Sequence, residues 1–466
     1  MNWKDKRVVM IGAARQGIAL TRYLVQQGAK VVLTDLSPAE NLQEALQALA
    51  DVPVEWVLGE HPLSLLDGTD VVCPSGGVPL TIPLVVEAQK RGIPLSNDSQ
   101  IFLEAAPCKV IGITGSAGKT TTTTLAGLIG QASEGNSLYR KTFIGGNIGS
   151  PLIAVVDRMT EDDLAVGEFS SFQLEIMTRS PQVAAILNIA PNHLDRHGTM
   201  EVYTASKLNI FNHQSSEDAA VLWRDDSATW ALRDKVRGRL YSFGSSPLPK
   251  GEKGAYLQDE AIWLQTDEGL LEVMPVSEIR LRGEHNLLNV LAACTLAAAA
   301  GLPSQAMRTA VKEFTGVPHR LEFVRTVGGA DWYNDSKATG PQMAVTAIRS
   351  FEEPLIVLAG GRDKHLPWEE FAQVVNERVD HLVLFGEAAD IIRTALDEEG
   401  GGFTLDICTG LEEAVHTATH LASPGDVVLL APGGTSFDEF KDFEERGQCF
   451  KDWVHAIREK ENEVKP

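Results

Sequence analysis

The first hundred residues alternate short apolar runs with amphipathic stretches. Arg7–Ile11 reads as a strand, Gln16–Gln27 as a helix and Lys30–Thr34 as a strand again. Asp51–Val57, Asp70–Cys73 and Gly92–Ser96 continue the short β segments, with helical spacing between them. Strands separated by helices form βαβ units, and these build a parallel sheet. A second series opens with the apolar run Cys108–Thr114, which enters a glycine-rich turn and a long helix. Further strands are predicted at Leu164–Glu168 and Val183–Ile189. The Ala-rich stretch Val290–Gly301 reads as a buried helix, and the series closes near Gly316–Pro318. A third series places strands at Leu355–Ala359, His381–Phe385 and Val427–Ala431. No repeat of 20–50 residues and no low-complexity tract interrupts the pattern, and the charged tail Glu459–Pro466 is predicted to fray.

Length agrees with three series, since 466 residues make about three domains of ordinary size. A chain 44% apolar and 22% charged has enough material for real cores, which excludes disordered, collagen-like and coiled-coil classes. With 41 basic and 63 acidic residues the net charge is −22, so the basic footprint of a nucleic-acid binder is missing. Five cysteines without a CxxC pair fit reduced thiols rather than a disulfide framework or zinc site. The opening MNWKDKRVVMIG enters a strand directly, without the apolar stretch and cleavage site of a signal peptide. The Ala-rich run is about half the ~20 residues of a membrane span. A cytoplasmic protein with no membrane partner is expected, and a monomer.

The most specific segment is Gly112-Ile113-Thr114-Gly115-Ser116-Ala117-Gly118-Lys119-Thr120. A strand, a glycine turn and Lys-Thr opening a helix form a phosphate loop, whose N–H groups favour anionic phosphate. Lys119 would reach the terminal phosphates and the Thr120 hydroxyl would bind Mg²⁺. Ile113 stands where the usual pattern has glycine. Gly115 to Thr121 therefore form the candidate nucleotide-binding set, in a Thr-Gly-x-x-Gly-Lys-Thr variant. Glu168 ends an apolar strand, either as a Mg²⁺ ligand or as a solvated strand-end acid. The polar turn Ser170–Gln173 behind it is placed to touch a substrate. In Pro191–Gly198, His193 is a metal ligand or a hydrogen-bonding group, and Mg²⁺ prefers oxygen. By spacing alone Lys207 is an ordinary surface lysine. Asn286 and Asn289 share a helix face, either reading an adenine edge or capping the helix. In the third series, Asn334–Thr339 is a polar loop of turn formers preceded by Arg320, and Gly360–Lys364 and Ala431–Ser436 follow strands; together they form a polar, partly cationic rim. The turn Gly12–Gly17 lacks the middle glycine of a dinucleotide loop, so NAD is disfavoured and a nucleotide diphosphate is not. Asp35 is a ribose or base contact, or a strand-end acid.

Taken together, Thr114–Thr120, Glu168 with Ser170–Glu175, Asn192–Gly198, Lys207, Gly283–Asn289, Asn334–Thr339 and Phe440–Gly447 resemble the Mur ligases, in the order that family has them. The match covers essentially the whole chain. Ser170–Glu175 and Ser436–Gly447 point to the members that join D-glutamate to UDP-N-acetylmuramoyl-L-alanine, and the Asp-Asn-Pro-Arg segment of diamino-acid-adding members is absent. The resemblance implies an α/β protein of three domains. A Rossmann-like domain (1–107) takes the UDP part of the substrate. A central P-loop ATPase-type domain with a mostly parallel sheet (108–317) takes ATP. A Rossmann-like C-terminal domain (318–466) takes the amino acid.

It also implies roles. Lys119 and Thr120 hold ATP phosphates. Thr120, Glu168, His193 and a carbamylated Lys207 serve two Mg²⁺ ions. Asn286, Asn289, Arg320 and Asp335 contact ATP. Asn147 and His193 lie near the muramoyl substrate, and Asp35 and Ser170 stay candidate substrate contacts on the reading of their own segments. Lys337, Thr339, Lys364, Ser436 and Phe443 receive D-glutamate. Arg15-Gln16, Ala117 (where Asn is common) and Gly361–Lys364 depart from the family pattern. The competing classes are a ligase for another acceptor or of folylpolyglutamate synthetase type, an idle nucleotide-binding relative, and a motor or transporter ATPase.

Overall fold

The computed structural model describes residues 2–135, 139–399 and 402–457, and the tail Glu459–Pro466 lies outside them. The described residues are α/β and form three sheets. In the first, β1 (Arg7–Ile11), β2 (Lys30–Asp35), β3 (Glu55–Leu58) and β4 (Val71–Pro74) are all parallel, in the order β3-β2-β1-β4. β1 lies between β2 and β4, so the loops leaving β1 and β4 meet at the edge where such sheets bind ligands. The strand expected at Gly92–Ser96 is a single bridge, Val72 to Leu95. Pro94 has no N–H to donate, so the ladder cannot extend.

The second sheet has nine strands. They are β5 (Lys109–Thr114), β6 (Thr142–Gly146), β7 (Leu164–Glu168), β8 (Val183–Ile186), β9 (Ala219–Trp223), β10 (Arg239–Gly244), β11 (Gly254–Gln258), β12 (Ala261–Thr266) and β13 (Gly269–Pro275). Their order is β13-β12-β11-β10-β9-β8-β5-β7-β6, parallel except for the hairpins β11-β12-β13. Strand β8 stops at Ile186 rather than Ile189, because Leu187 and Asn188 turn toward the phosphate loop. Helix Lys119–Ala132 follows β5, and helix Glu284–Ala300 is buried from Val290 onward at every position but Ala298. A helix apolar all round belongs inside a core. No helix among the described residues is long and apolar enough to cross a membrane.

The first two sheets belong to one compact unit (Met1–Ile279 with Leu288–Glu313). The reason is a shared core. Leu152, Ile153 and Val156 from the 3₁₀ stretch Leu152–Arg158 pack with Leu20, Leu24 and Phe102.

The other unit (Arg280–Leu287 with Phe314–Pro466) holds the third sheet. Strands β14 (Glu322–Val327), β15 (Ala330–Asn334), β16 (Leu355–Gly360), β17 (His381–Phe385), β18 (Thr404–Cys408) and β19 (Val427–Gly433) run in the order β14-β15-β19-β16-β17-β18. Only β14 is antiparallel to its neighbour. β19 is flanked by β15 and β16, which brings the loops after all three strands together.

Candidate active site

In the second sheet β5 lies between β7 and β8. The chain leaving β5 is therefore met by the ends of both neighbours. Gly118 opens the helix with φ +80°, and a Cβ there would stand 2.2 Å from Asn289 Oδ1, so only glycine fits. Asn188, just past β8, holds the loop from one side. Its carbonyl accepts the Ser116 N–H at 3.0 Å, its Oδ1 accepts the Ala117 N–H at 2.8 Å, and its Nδ2 donates to the Ala117 carbonyl at 3.1 Å. The Ser116 hydroxyl meets Tyr203 Oη at 3.0 Å and donates to the Ala190 carbonyl at 2.9 Å. Sequence reasoning missed Asn188 and Tyr203. A polar residue closing the apolar run that forms β8 was the one signal available for Asn188.

Lys119 folds back over the loop, with Nζ donating to the carbonyls of Gly115 (2.9 Å) and Ser116 (3.2 Å). Thr120 Oγ1 donates to Glu168 Oε2 at 2.9 Å, and Asn147 Nδ2 donates to Glu168 Oε1 at 2.8 Å. Glu168 is buried, 2% exposed. The alternative of a solvated strand-end acid is thus removed by geometry. Hard oxygens of Thr120 and Glu168 converge here, and they are the donor type Mg²⁺ prefers. Among the described residues, no three His, Cys, Asp or Glu side chains converge on one metal position. A further ion would need oxygens from other groups.

Lys207 is the largest departure from the reading by spacing. It sits on helix Met200–Leu208 and is 1% exposed. Its Nζ donates to the Gly115 carbonyl at 2.9 Å and faces Thr114 Oγ1 at 3.5 Å. Burial, with the Lys119 charge adding to it against the pull of Glu168, pushes this amine down from 10.5 to about 6. A lysine with that pKa is mostly neutral at pH 7 and hence nucleophilic.

Around the loop Pro191–Gly198, His193 adopts left-handed backbone (φ +53°), is exposed, and meets the Phe172 ring edge-on at 5.0 Å. His197 is buried and lies 3.0 Å from the Ser171 hydroxyl. Ser170 caps helix Ser171–Leu174 in a reciprocal capping box with Gln173. In the first sheet, Asp35 accepts the N–H groups of Ala13 and Ser37, each at 2.8 Å. Burial would raise its pKa, but these two donors outweigh it and lower it. The turn at Gly12 packs as a nucleotide turn does, since a Cβ on Gly17 would stand 2.0 Å from the Gly12 carbonyl.

Asn289 Oδ1 accepts from the Thr122 hydroxyl at 3.3 Å. Asn286 belongs to the other unit by packing, and its Nδ2 donates to the Arg282 carbonyl at 2.8 Å. In that unit the loops after β15, β16 and β19 bring together several expected residues. Lys364 Nζ donates to Thr339 Oγ1 at 3.2 Å, and Lys337 Nζ lies 5.6 Å from the Phe443 ring centroid. Ser436 is buried on the loop that follows β19. His319 and Leu321 flank Arg320 with φ of +63° and +43°, and the Leu321 N–H is received by Asp335 Oδ1 at 3.1 Å. Burial lifts Asp335 to about 6 against the opposing charges of Arg320 and Lys337. Arg446, which sequence reasoning passed over, is wholly buried and joins two of these loops. It donates to the Ser336 hydroxyl at 3.0 Å and to the Ser336 and Gly434 carbonyls.

A phosphate loop faced by a buried glutamate and a buried lysine, together with a second α/β unit carrying a cationic loop cluster, defines a class. Three family models match: "Mur ligase MurD-like, N-terminal domain" over residues 6–97, "Mur ligase middle domain" over 113–297, and "Mur ligase, glutamate ligase domain" over 319–434. The chain belongs to the Mur ligase family. Among its relatives, the UDP-N-acetylmuramoylalanine--D-glutamate ligase of Symbiobacterium thermophilum is 40% identical, over 97% of this chain and 98% of the relative. The protein of the same name from Pelotomaculum thermopropionicum is 41% identical, over 97% and 98%. The crystal structure of the UDP-N-acetylmuramate-alanine ligase of Thermotoga maritima superposes with a TM-score of 0.60 at 18% identity, over 97% of this chain and all of that one. That likeness concerns the fold.

Proposed function

We propose that this protein is an ATP-dependent amide ligase that joins D-glutamate to UDP-N-acetylmuramoyl-L-alanine, releasing ADP and phosphate in peptidoglycan precursor synthesis. The observation that carries the chemistry is the Lys119–Thr120–Glu168–Lys207 cluster around one phosphate loop. Residues 1–107 would hold the UDP substrate, 108–317 the ATP and 318–466 the amino acid. The reading includes a cytoplasmic monomer.

A carboxylate is a poor acyl donor because its oxygen leaves badly. The substrate carboxylate attacks the γ-phosphorus of ATP, the bond to the bridging oxygen breaks, and ADP leaves. The D-glutamate amine attacks the resulting acyl phosphate, the C–O bond breaks, phosphate departs, and the amine proton passes to water. Lys119 would swing from the loop carbonyls onto the transferring phosphoryl oxygens and offset their charge. Asn188 takes the N–H groups of Ser116 and Ala117 and, with Tyr203 on the Ser116 hydroxyl, fixes the shape of the phosphate loop. Thr120 and Glu168 would hold Mg²⁺, which when bound neutralises charge on phosphate oxygens. His193 is assigned to a second ion together with Lys207. Only a neutral amine adds CO₂. At pH 7 a pKa of about 6 leaves about nine-tenths of Lys207 neutral, against about 0.03% for an ordinary lysine. The product, a carbamate plus a released proton, turns a neutral amine into an anionic oxygen ligand.

Asn286, Asn289, Arg320 and Asp335 are assigned to ATP. Asp35, Asn147 and Ser170 are assigned to the UDP substrate, and Lys337, Thr339, Lys364, Ser436 and Phe443 to D-glutamate. The test is phosphate release from ATP and UDP-N-acetylmuramoyl-L-alanine with D-glutamate, L-glutamate, diaminopimelate or lysine added in turn. Release that depends on D-glutamate is expected. Dependence on another amino acid replaces the acceptor, and none at all sinks the ligase reading.

A further inference from the structure

Arg196 lies in the last turn of the short helix Leu194–His197. Its guanidinium donates to the carbonyls of Gly76 (3.0 Å), Gly77 (3.2 Å) and Val78 (2.6 Å). It also lies 3.9 Å from the centroid of the Phe172 ring. The three acceptors belong to the loop leaving β4, about 120 residues earlier in the chain. Phe172 belongs to the helix that follows β7, and His193 packs edge-on against the same ring. One side chain thus joins the ligand edge of the first sheet to the ligand edge of the second, inside one compact unit.

The loop it holds carries Gly76 and Gly77. Two consecutive glycines give the backbone high conformational freedom, which must be lost on binding unless the loop is already ordered. Arginine presents five donors in a rigid fork, enough to meet three carbonyls and still lie flat on a ring. Lysine, a point charge on a flexible stem, cannot satisfy this set. Glu175 faces the same guanidinium. Burial raises that carboxyl and the Arg196 charge opposes the rise.

We propose that Arg196 is a positioning residue for the UDP-linked substrate. It holds the Gly76–Val78 loop and the His193 loop in fixed register, so that a substrate spanning both sheet edges meets each without reordering either. This rests on the ligase reading above. The test uses the full chain, with phosphate release for kinetics and calorimetry for binding of UDP-N-acetylmuramoyl-L-alanine and of ADP. Arg196→Lys is expected to raise the KM and Kd of the UDP substrate roughly tenfold, as loss of one or two charge-assisted hydrogen bonds would. The ADP Kd is expected to stay within about twofold. Phe172→Leu keeps apolar bulk but removes the ring, and is expected to move the UDP-substrate KM the same way by a smaller factor. It carries the test alone if Arg196→Lys does not fold. Equal weakening of ADP and UDP-substrate binding, or a fall in kcat with the substrate KM unchanged, overturns the proposal. Failure of the wild type to release phosphate with D-glutamate would instead overturn the ligase reading itself.

Discussion

Replacing Lys207 with methionine should make the protein more stable while leaving it inactive. The amine is 1% exposed and its pKa is lowered from 10.5 to about 6, chiefly by burial. At pH 7 the unfolded lysine carries a proton that the folded state mostly releases. Separation of the unfolded pKa from pH 7, at about 1.4 kcal/mol per unit, sets the cost of folding at about 5 kcal/mol. Methionine has similar length and no charge to desolvate. It forfeits the bond to the Gly115 carbonyl, about 1.5 kcal/mol. That carbonyl keeps the Lys119 ammonium as a donor, so it is not left unsatisfied. A net gain of about 3–4 kcal/mol remains, or roughly 5 °C in Tm for a unit of this size.

The sign of the pH effect is fixed by the direction of the shift. Between about pH 6 and 10.5 the unfolded wild type binds a proton that the folded protein does not, so wild-type stability rises with pH across that window. The advantage of Lys207→Met should therefore shrink steadily from pH 7 to pH 10. Urea and thermal unfolding in CO₂-free buffer at three pH values measure it. A variant less stable than wild type at pH 7, or an advantage independent of pH, would refute the account of Lys207 as a desolvated amine.

Lys207→Ala should lose nearly all turnover, with partial return on adding acetate or formate in place of the carbamate; full activity without them removes the carbamate assignment. Lys119→Ala should lower kcat by at least about a hundredfold with unchanged unfolding, because it removes charge at the transferring phosphoryl group; normal ADP production would rule out the phosphate-loop role. Gly118→Ala forces a Cβ into a left-handed position 2.2 Å from Asn289 Oδ1. It should cost about 1–3 kcal/mol in urea unfolding and weaken ADP binding by calorimetry. Asp335 is raised to about 6, so its stabilising protonated form is fully present below pH 3.8 and lost as pH rises through 6. Asp335→Asn should therefore unfold at higher urea than wild type at pH 8, by up to about 3 kcal/mol, with the difference vanishing near pH 4.

Some of this protein was readable from local sequence alone. The run Leu164–Glu168 is a strand over those same residues, since five buried positions end at the first polar one. The phosphate loop was equally plain, because strand, glycine turn and helix start are contiguous and need no distant partner. The outer strands of the second sheet were not read. The hairpin between β11 and β12 turns through Asp259 and Glu260 at φ +50° and +56°, without the Asn-Gly or Asp-Gly pair that usually marks such a turn.

Backbone preference and apolar periodicity are written within about ten residues, so the sequence by itself determined the α/β class, the phosphate loop and the order of its motifs. Burial and hydrogen-bond partnership are not written there. Lys207 looks like any surface lysine until the Gly115 carbonyl, 92 residues away, closes over it. Glu168 has its character set by Thr120 and Asn147, and Arg196 finds its carbonyls about 120 residues back. Only the tertiary structure decides which charges lose their water, and the energy of an ionisable group depends on that loss more than on the residues beside it in sequence.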